Sequence, residues 1–377
     1  SVVVITWSAT DSVGVIDPCP EAIIFGPARS DAGTPPAANR PRFLITSPGG
    51  KAPRAHHIAD ALALYLPSDR REALRILGAS LGPPLGEVES AGMESFLYLP
   101  DVFFVAEHGL DHFEEAMSFQ YQVTQRFTAE GSIRAFLDRY PDKALDRLRE
   151  WAGDSNMHVR RLVSEGTRPR LPWASRLSRF QKDPTPVLEL LELLKDDPTD
   201  YVRRSVANNL NDISKDHPDL VVETGRRWLS DPDRRRLVEH GLRTLVKQGH
   251  PGALAALGFG TGAPVVVESV AVESRRVAIG GRVTIEAIVS NPTSSAHRLV
   301  VDIRVHFVKA NGATSPKVFK GAVLELAAGA TARVRKSISL AIHTTRTPRR
   351  GEHQVEILIN GLIHPGGSFE VVNGGSE

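Results

Sequence analysis

Residues 154–171, DSNMHVRRLVSEGTRPRL, can be laid over residues 197–214, DPTDYVRRSVANNLNDIS, at an offset of 43 positions. Val159, Arg160, Arg161 and Val163 then fall on Val202, Arg203, Arg204 and Val206. A looser match sets RFTAE (126–130) over RLVSE (161–165), and LVEHGLRTL from Leu237 reads as a further degenerate copy. A unit this short cannot bury its own apolar face, so it must stack on its neighbours. Helix pairs recurring every ~35 to 47 residues describe an α-solenoid of HEAT type, with equivalent positions lining one concave face.

The surrounding pattern agrees. From Arg54 onward AHHIADALALYLP, DRREALRILGASLG and VFFVAEHGLDHFEEAMSFQYQVTQRFTAE carry apolar residues at three- and four-residue spacing, which predicts helix. Asp154, Asp183, Asp197 and Asp231 stand at helix starts, where a carboxylate can accept from first-turn amides that have no intrahelical partner. After Gly262 the period becomes two: VVVESVAVES, RVTIEAIVSN, LVVDIRVHFVKA, PKVFKGAVLEL, TARVRKSISL, HQVEILIN and GSFEVV. Seven short strands, with Asn311-Gly312 as a tight hairpin signal, predict an immunoglobulin-like β-sandwich. The fold class is therefore multidomain, α then β. Residues 1–53, rich in Pro, Gly, Ala and Ser with short β-like runs at 2–5 and 43–46, form an irregular segment. The helical repeats occupy 54–258, a linker 259–264 and the sandwich 265–372.

A single cysteine, Cys19, excludes an intramolecular disulfide and a cysteine-based zinc cluster, which fits a reducing, cytoplasmic setting. No apolar run approaches the ~20 residues of a membrane helix. Residues 265–377 hold 14 basic against 9 acidic side chains, and residues 1–264 hold 32 against 35. A modestly basic module follows a nearly neutral one, a balance that suits an acidic partner without requiring one. His56-His57 have no partner at metal-ligand spacing, and GFGTG at 258–262 does not join a strand to a helix, so neither metal nor dinucleotide is expected.

The repeat makes Glu130, Glu165 and Asn208 equivalent, and Asp212 lies one helical turn beyond Asn208. Three carboxylates thus converge among Arg126, Arg160, Arg161, Arg203 and Arg204, and the loop after Glu165 adds Arg168, Arg170, Trp173 and Arg176. A groove with basic walls and a small acidic floor can hold a phosphodiester duplex while stabilising one cationic centre. On spacing alone, Arg161 and Glu165 describe a solvated i,i+4 pair worth ~0.2 to 0.5 kcal/mol, and Trp173 a packing residue. The coincidence of all of them on one face points further. The other class open to such a chain is a non-catalytic solenoid scaffold that binds protein or undamaged DNA.

FLYLPDVFFVAEHGLDHFE, HVRRLVSEGTRPRLPWA, LLKDDPTDYVRRSVANNLNDISKDHPDL and VDIRVHFVKANGATSPKVFK are long, specific segments. Through them the chain, from about Arg54 to its end, resembles the AlkC-type branch of the HEAT-like-repeat DNA alkylation-repair glycosylases. That resemblance implies a monofunctional enzyme that excises N3-methylated bases, chiefly 3-methyladenine and 3-methylcytosine, from duplex DNA without flipping them. It implies catalytic acids at Glu130, Glu165 and Asp212, an aromatic at Trp173, and a second domain that helps encircle the DNA. Arg160, Arg161, Arg168, Arg170, Arg203, Arg204, Asn208 and Lys215 are the expected DNA contacts of the first domain, and Lys309, Lys317, Lys320 and Arg346 of the second. Base departure needs neither redox nor group transfer, so no cofactor and no metal is expected. A monomer acting on the bacterial nucleoid completes the expectation. Residues 1–53 depart from the family's opening helices, and Gly131 stands where a bulky apolar residue is expected, a glycine that costs a helix about 1 kcal/mol relative to alanine.

Overall fold

The structure, a computed structural model, describes residues 4–5, 42–43, 51–90, 92–172, 174–260, 264–342 and 347–373. It divides into two compact units, 1–216 and 217–377. Among the described residues no helix is long and apolar enough to cross a membrane.

Among its described residues the first unit is helical apart from turns, loops and the strands β1 (Val4–Ile5) and β2 (Arg42–Phe43), which pair in parallel. Of the irregular segment expected at 1–53, residues 51–53 belong to the first helix, and apart from these two strands residues 1–50 lie outside the described residues. The helices are α1 (Lys51–Tyr65), α2 (Arg70–Ser80), α3 (Leu99–His108), α4 (Phe113–Thr124) and α5 (Ile133–Arg139). They continue with α6 (Pro141–Trp151), α7 (Met157–Gly166), α8 (Ser178–Lys182), α9 (Thr185–Leu194) and α10 (Asp200–Ile213). The run read as helix from residue 102 to 130 is broken twice. Gly109 caps α3, where a Cβ would lie 2.7 Å from the Val105 carbonyl oxygen, and α4 ends at Thr124, leaving Glu130 in a turn. Gly131 belongs to the same turn, so the helix penalty expected of it does not arise, and a Cβ there would meet only Val102 at 3.8 Å.

The repeat is a packing repeat. Val159 and Val163 on α7 and their equivalents Val202 and Val206 on α10 are all 0% exposed, and the two helices pack on each other. Burying each valine is worth ~1.5 to 3 kcal/mol, which fixes the register of one helix pair on the next. The aspartates act at the helix starts, two of them one step earlier than expected. Asp154 accepts from the amide of Asn156, and Asp197 from that of Thr199; Asn156 and Thr199 are the residues that cap α7 and α10. Asp183 accepts directly from Thr185, the first residue of α9.

The second unit begins with α11 (Pro218–Trp228), α12 (Arg235–Gly241), α13 (Arg243–Lys247) and α14 (Pro251–Ala256). Among the described residues eight strands follow: β3 (Val266–Glu273), β4 (Arg276–Ala278), β5 (Arg282–Ser290), β6 (His297–Val308), β7 (Thr314–Leu326), β8 (Thr331–Ser339), β9 (Gly351–Ile359) and β10 (Leu362–Val372). They form a five-stranded sheet, β4-β10-β9-β6-β7, and a three-stranded sheet, β3-β5-β8. The alternation read in RVTIEAIV holds, with Val283, Ile285, Ala287 and Val289 in the core between them. The eighth strand, β4, pairs in parallel with β10 and is three residues long, too short to show a period. Pro365-Gly366-Gly367 forms a bulge inside β10, where a Cβ on Gly366 would sit 2.8 Å from the Val355 carbonyl oxygen. The Asn311-Gly312 hairpin forms as expected, with Gly312 at φ +79° and Lys309 N–H donating to Ala313 O at 2.8 Å.

Phe259 and Gly260, expected as the start of a linker, and Leu257 just before them are pinned to the strands. The Arg298 guanidinium donates to Leu257 O and lies 4.6 Å from the centre of the buried Phe259 ring. Asn360 Nδ2 donates to Gly260 O at 2.7 Å. Beside it Gly249, between α13 and α14, meets Gly361 of the β9–β10 hairpin so closely that a Cβ on Gly361 would lie 2.1 Å from Gly249 Cα.

Candidate active site

Three chain segments bring the acids together. Glu130 sits in the turn between α4 and α5, where Thr128 Oγ1 accepts from its amide at 3.3 Å and donates to its Oε2 at 2.9 Å. Glu165 lies in the last turn of α7 and Asp212 in the last turn of α10. A carboxylate at a helix C-terminus opposes the helix dipole by ~0.3 to 1 kcal/mol, so these two positions need cations.

Arginines supply them as links of one chain. Arg161 Nη1 reaches Glu130 Oε2 at 3.1 Å, and its Nη2 reaches Glu165 Oε1 at 3.7 Å. Arg168 Nη1 donates to the same Glu165 oxygen at 2.5 Å, and its Nε donates to Asp212 Oδ2 at 2.8 Å. Lys215 Nζ closes on Asp212 Oδ1 at 2.8 Å. The order is Glu130, Arg161, Glu165, Arg168, Asp212, Lys215. Glu165 is 6% exposed and Asp212 2%, so the i,i+4 pair of Arg161 with Glu165 is not a solvated one. Glu130, with its side chain 24% exposed, is the most open of the three acids.

Burial pushes the Glu165 carboxyl up, but Arg161 and Arg168, with hydrogen bonds from Ser205 and Arg168, outweigh it and hold it below the usual carboxylate range. Burial likewise pushes Arg161 and Arg168 down, and their acidic neighbours more than restore them. Glu165, Arg161 and Arg168 are therefore ionised together at neutral pH.

The other expected contacts have different surroundings. Arg160 is held bidentate by Asp197, at 2.6 and 3.1 Å, and also donates to the carbonyls of Asp154 and Ser155, so it ties the start of α7 to the turn before α10. Arg170 is bidentate to Asp216, at 3.0 and 2.6 Å. Arg203 donates to Asp197 O, and Arg204 reaches Glu89 at 2.6 Å. Asn208 is half-buried. In the second unit Lys309, Lys317 and Lys320 are exposed, but β7 pairs Lys317 with Val305 and Lys320 with Asp302, three positions apart, so those two leave the sheet on opposite faces. Lys309 and Lys317 line one cavity of about 380 Å³ with Arg349. Trp173 and Arg346 lie outside the described residues.

Sequence reasoning missed several supporting residues. Ser205 Oγ donates to Glu165 Oε2 at 2.5 Å from the repeat position that Leu162 fills in α7, so a polar residue in a core slot was the available signal. Asn209 Nδ2 ties α10 to Ser164 O at 2.7 Å and to Thr167 Oγ1 at 3.1 Å. Arg134, 1% exposed on α5, donates to Gly166 O at 3.1 Å, to Arg168 O at 2.8 Å and to Ser175 O at 2.9 Å. Its signal was a lone cation between the apolar residues Ile133 and Phe136. Burial pushes its pKa down to about 10, against the pull of Asp138, so it remains charged. Away from this network His56, read as a surface residue, is exposed; it pairs with Glu107 at 2.9 Å and stacks on Phe103.

A helical repeat with an acid and arginine chain on it, followed by a β-sandwich, defines a class, and comparison gives that class its description. Residues 119–223 match the family described as "DNA alkylation repair enzyme", and residues 266–373 match "Uncharacterised protein YhaZ, C-terminal Ig-like domain". The uncharacterized protein YhaZ of Bacillus subtilis (strain 168) is 34% identical over 343 residues, covering 89% of this chain and 93% of its own. A solved structure of the Pseudomonas fluorescens alkylpurine DNA glycosylase AlkC, bound to DNA containing an abasic site analog, superimposes with a TM-score of 0.77. Its identity is 35%, over 85% of this chain and 87% of that one. The chain belongs to the AlkC-type DNA alkylation-repair glycosylases, the branch with a C-terminal immunoglobulin-like domain.

Proposed function

We propose that this glycosylase excises cationic N3-alkylated bases, 3-methyladenine and 3-methylcytosine, from duplex DNA without flipping them, and that Glu130, Glu165 and Asp212 carry the reaction. The observation behind this is the chain of contacts in which three carboxylates share two arginines. Methylation at N3 makes the base a good leaving group. The N-glycosidic bond breaks, its electron pair departs with the base, and an oxocarbenium-like sugar remains. Carboxylates beside that sugar stabilise it, and one of them takes the proton of the water that adds to it. Glu130, the most open acid, is best placed to orient that water; Glu165, kept ionised by Arg161 and Arg168, supplies negative charge. A flipped base needs an enclosed pocket. Here the space between the acids is filled by arginine side chains, which suits contact with a sugar still in the duplex. Trp173 would offer its π face to the cationic nucleotide, a contact worth ~0.5 to 2 kcal/mol. The carbon-nitrogen bond cleaves heterolytically, with no electron or group to be carried elsewhere.

The test is release of free base from methylated duplex DNA by the purified protein, with product identified by chromatography. Release of 3-methyladenine is expected. Binding to methylated and unmethylated duplex with no base released would leave the scaffold reading standing.

The second unit gives an expected result of its own. Replacing Lys309 and Lys317 with glutamine should weaken binding to every DNA sequence alike and lower the salt dependence by up to about one counterion per lost phosphate contact. Lys320→Gln, on the other face of β7, should change neither. Titrations at several salt concentrations decide it; an unchanged slope in the double variant removes this face from the DNA contact.

A further inference from the structure

Arg161 joins Glu130 to Glu165, yet its polar contacts are looser than those of Arg168: 3.1 and 3.7 Å, against 2.5 and 2.8 Å. An aromatic ring accompanies it. The Arg161 guanidinium carbon lies 5.1 Å from the centre of the Tyr201 ring, within cation–π range. Tyr201 is the second residue of α10, and Arg204 approaches the same ring at 5.9 Å. The ring is itself held. His158, 2% exposed on the first turn of α7, meets it edge-on at 5.6 Å and 72°. Burial holds the His158 imidazole below the ordinary range, so it packs as a neutral aromatic and adds no charge to repel Arg161.

We infer that Tyr201 is a positioning residue of this site: the face of its ring, braced by His158, holds Arg161 between Glu130 and Glu165. The consequence for activity rests on the function proposed above; the consequence for the charges of the network does not. Glu165 is faced by Arg161 on its own helix, Arg168 from the following loop, and Glu130 from the α4–α5 turn. From α10 it is faced by Ser205, Tyr201 and Asp212, with Lys215 and Arg134 beyond. Among these, Arg161 is the cation whose place depends on the ring. When it is free to swing away, Glu165 loses a neighbour that favours its ionised form, and its titration midpoint rises.

Three substitutions test this: Tyr201→Phe keeps the ring face, Tyr201→Met removes it at similar volume, and Arg161→Gln sets the full effect of losing the cation. The readout is the carboxyl carbon of Glu165, followed by NMR in protein labelled at glutamate and assigned by Glu165→Gln. The midpoint should rise in Tyr201→Met and in Arg161→Gln and stay at the wild-type value in Tyr201→Phe. Single-turnover excision should fall on the order of ten-fold in Tyr201→Met, with its acid limb moved to higher pH, and be unchanged in Tyr201→Phe. An unmoved midpoint in folded Tyr201→Met overturns the proposal, as does a shift of equal size in Tyr201→Phe, which would assign the effect to the hydroxyl. Should the methionine variant not fold, Tyr201→Leu takes its place with the same outcomes. If the wild-type protein releases no base, the glycosylase reading fails and the titration still decides the role of Tyr201.

Discussion

Glu165→Gln should slow single-turnover excision of 3-methyladenine by a factor on the order of 10² or more, with affinity for undamaged duplex unchanged or slightly raised. The amide keeps the shape of the side chain and can still accept from Ser205 Oγ, which donates to Oε2 at 2.5 Å. What disappears is the negative charge nearest the middle of the chain. Arg161 retains Glu130 and Arg168 retains Asp212, so neither cation is left alone. The loss therefore falls on the oxocarbenium-like state and not on the fold, and a thermal melt close to the wild type should accompany it. Rapid-quench measurement at saturating enzyme separates the two effects. Excision at the wild-type rate by the fully bound variant would make Glu165 a structural partner of its arginines.

Arg134→Met should show the opposite pattern, a large loss of stability that carries activity with it. Methionine fills much of the volume but donates nothing, so the carbonyls of Gly166, Arg168 and Ser175 lose a shared buried donor. At ~1 kcal/mol for each orphaned carbonyl, the lower end of the usual cost, together they should lower the melting temperature by roughly 6 to 12 °C. Those carbonyls belong to the end of α7 and the loop after it, the segment that carries Arg168 between Glu165 and Asp212. Excision should fall even well below the melting temperature. A melt within about 2 °C of the wild type, with full activity, would show that water or a neighbour satisfies these carbonyls without Arg134.

The contrast between the two residues says what was legible beforehand. The meeting of Glu165 with Glu130 and Asp212 through shared arginines was legible because a repeat carries positional information: Glu130, Glu165 and Asn208 hold equivalent positions, and Asp212 follows Asn208 by one turn. The valines of the repeat were legible for the same reason, as a periodic apolar pattern is itself the signature of a buried face. Arg134 and Ser205 belong to no such period. Their partners lie 32 to 41 residues away, and only the folded chain brings donor to acceptor. The break at Gly109 was hidden because apolar spacing continues across it, whereas the close approach to the Val105 carbonyl is visible only in three dimensions. Arg160 was read with its neighbour Arg161 as one motif. One turns to Asp197 and the other to the acids, because adjacent residues on a helix point about 100° apart.

The contact between Gly249 and Gly361 bears on how chains of this kind can be recombined. Sequence texture changes near Gly262, which invites exchange of the β-sandwich at that point between relatives. Yet Gly249 and Gly361, both at positive φ, meet backbone to backbone, and Arg298 and Asn360 fasten the carbonyls of Leu257 and Gly260. A sandwich transplanted with a junction at Gly262 would arrive without the surface on which its β9–β10 hairpin rests, and any side chain at position 249 of the recipient would collide with it. The heritable module is α11–α14 together with the strands, and a viable crossover falls before Pro218.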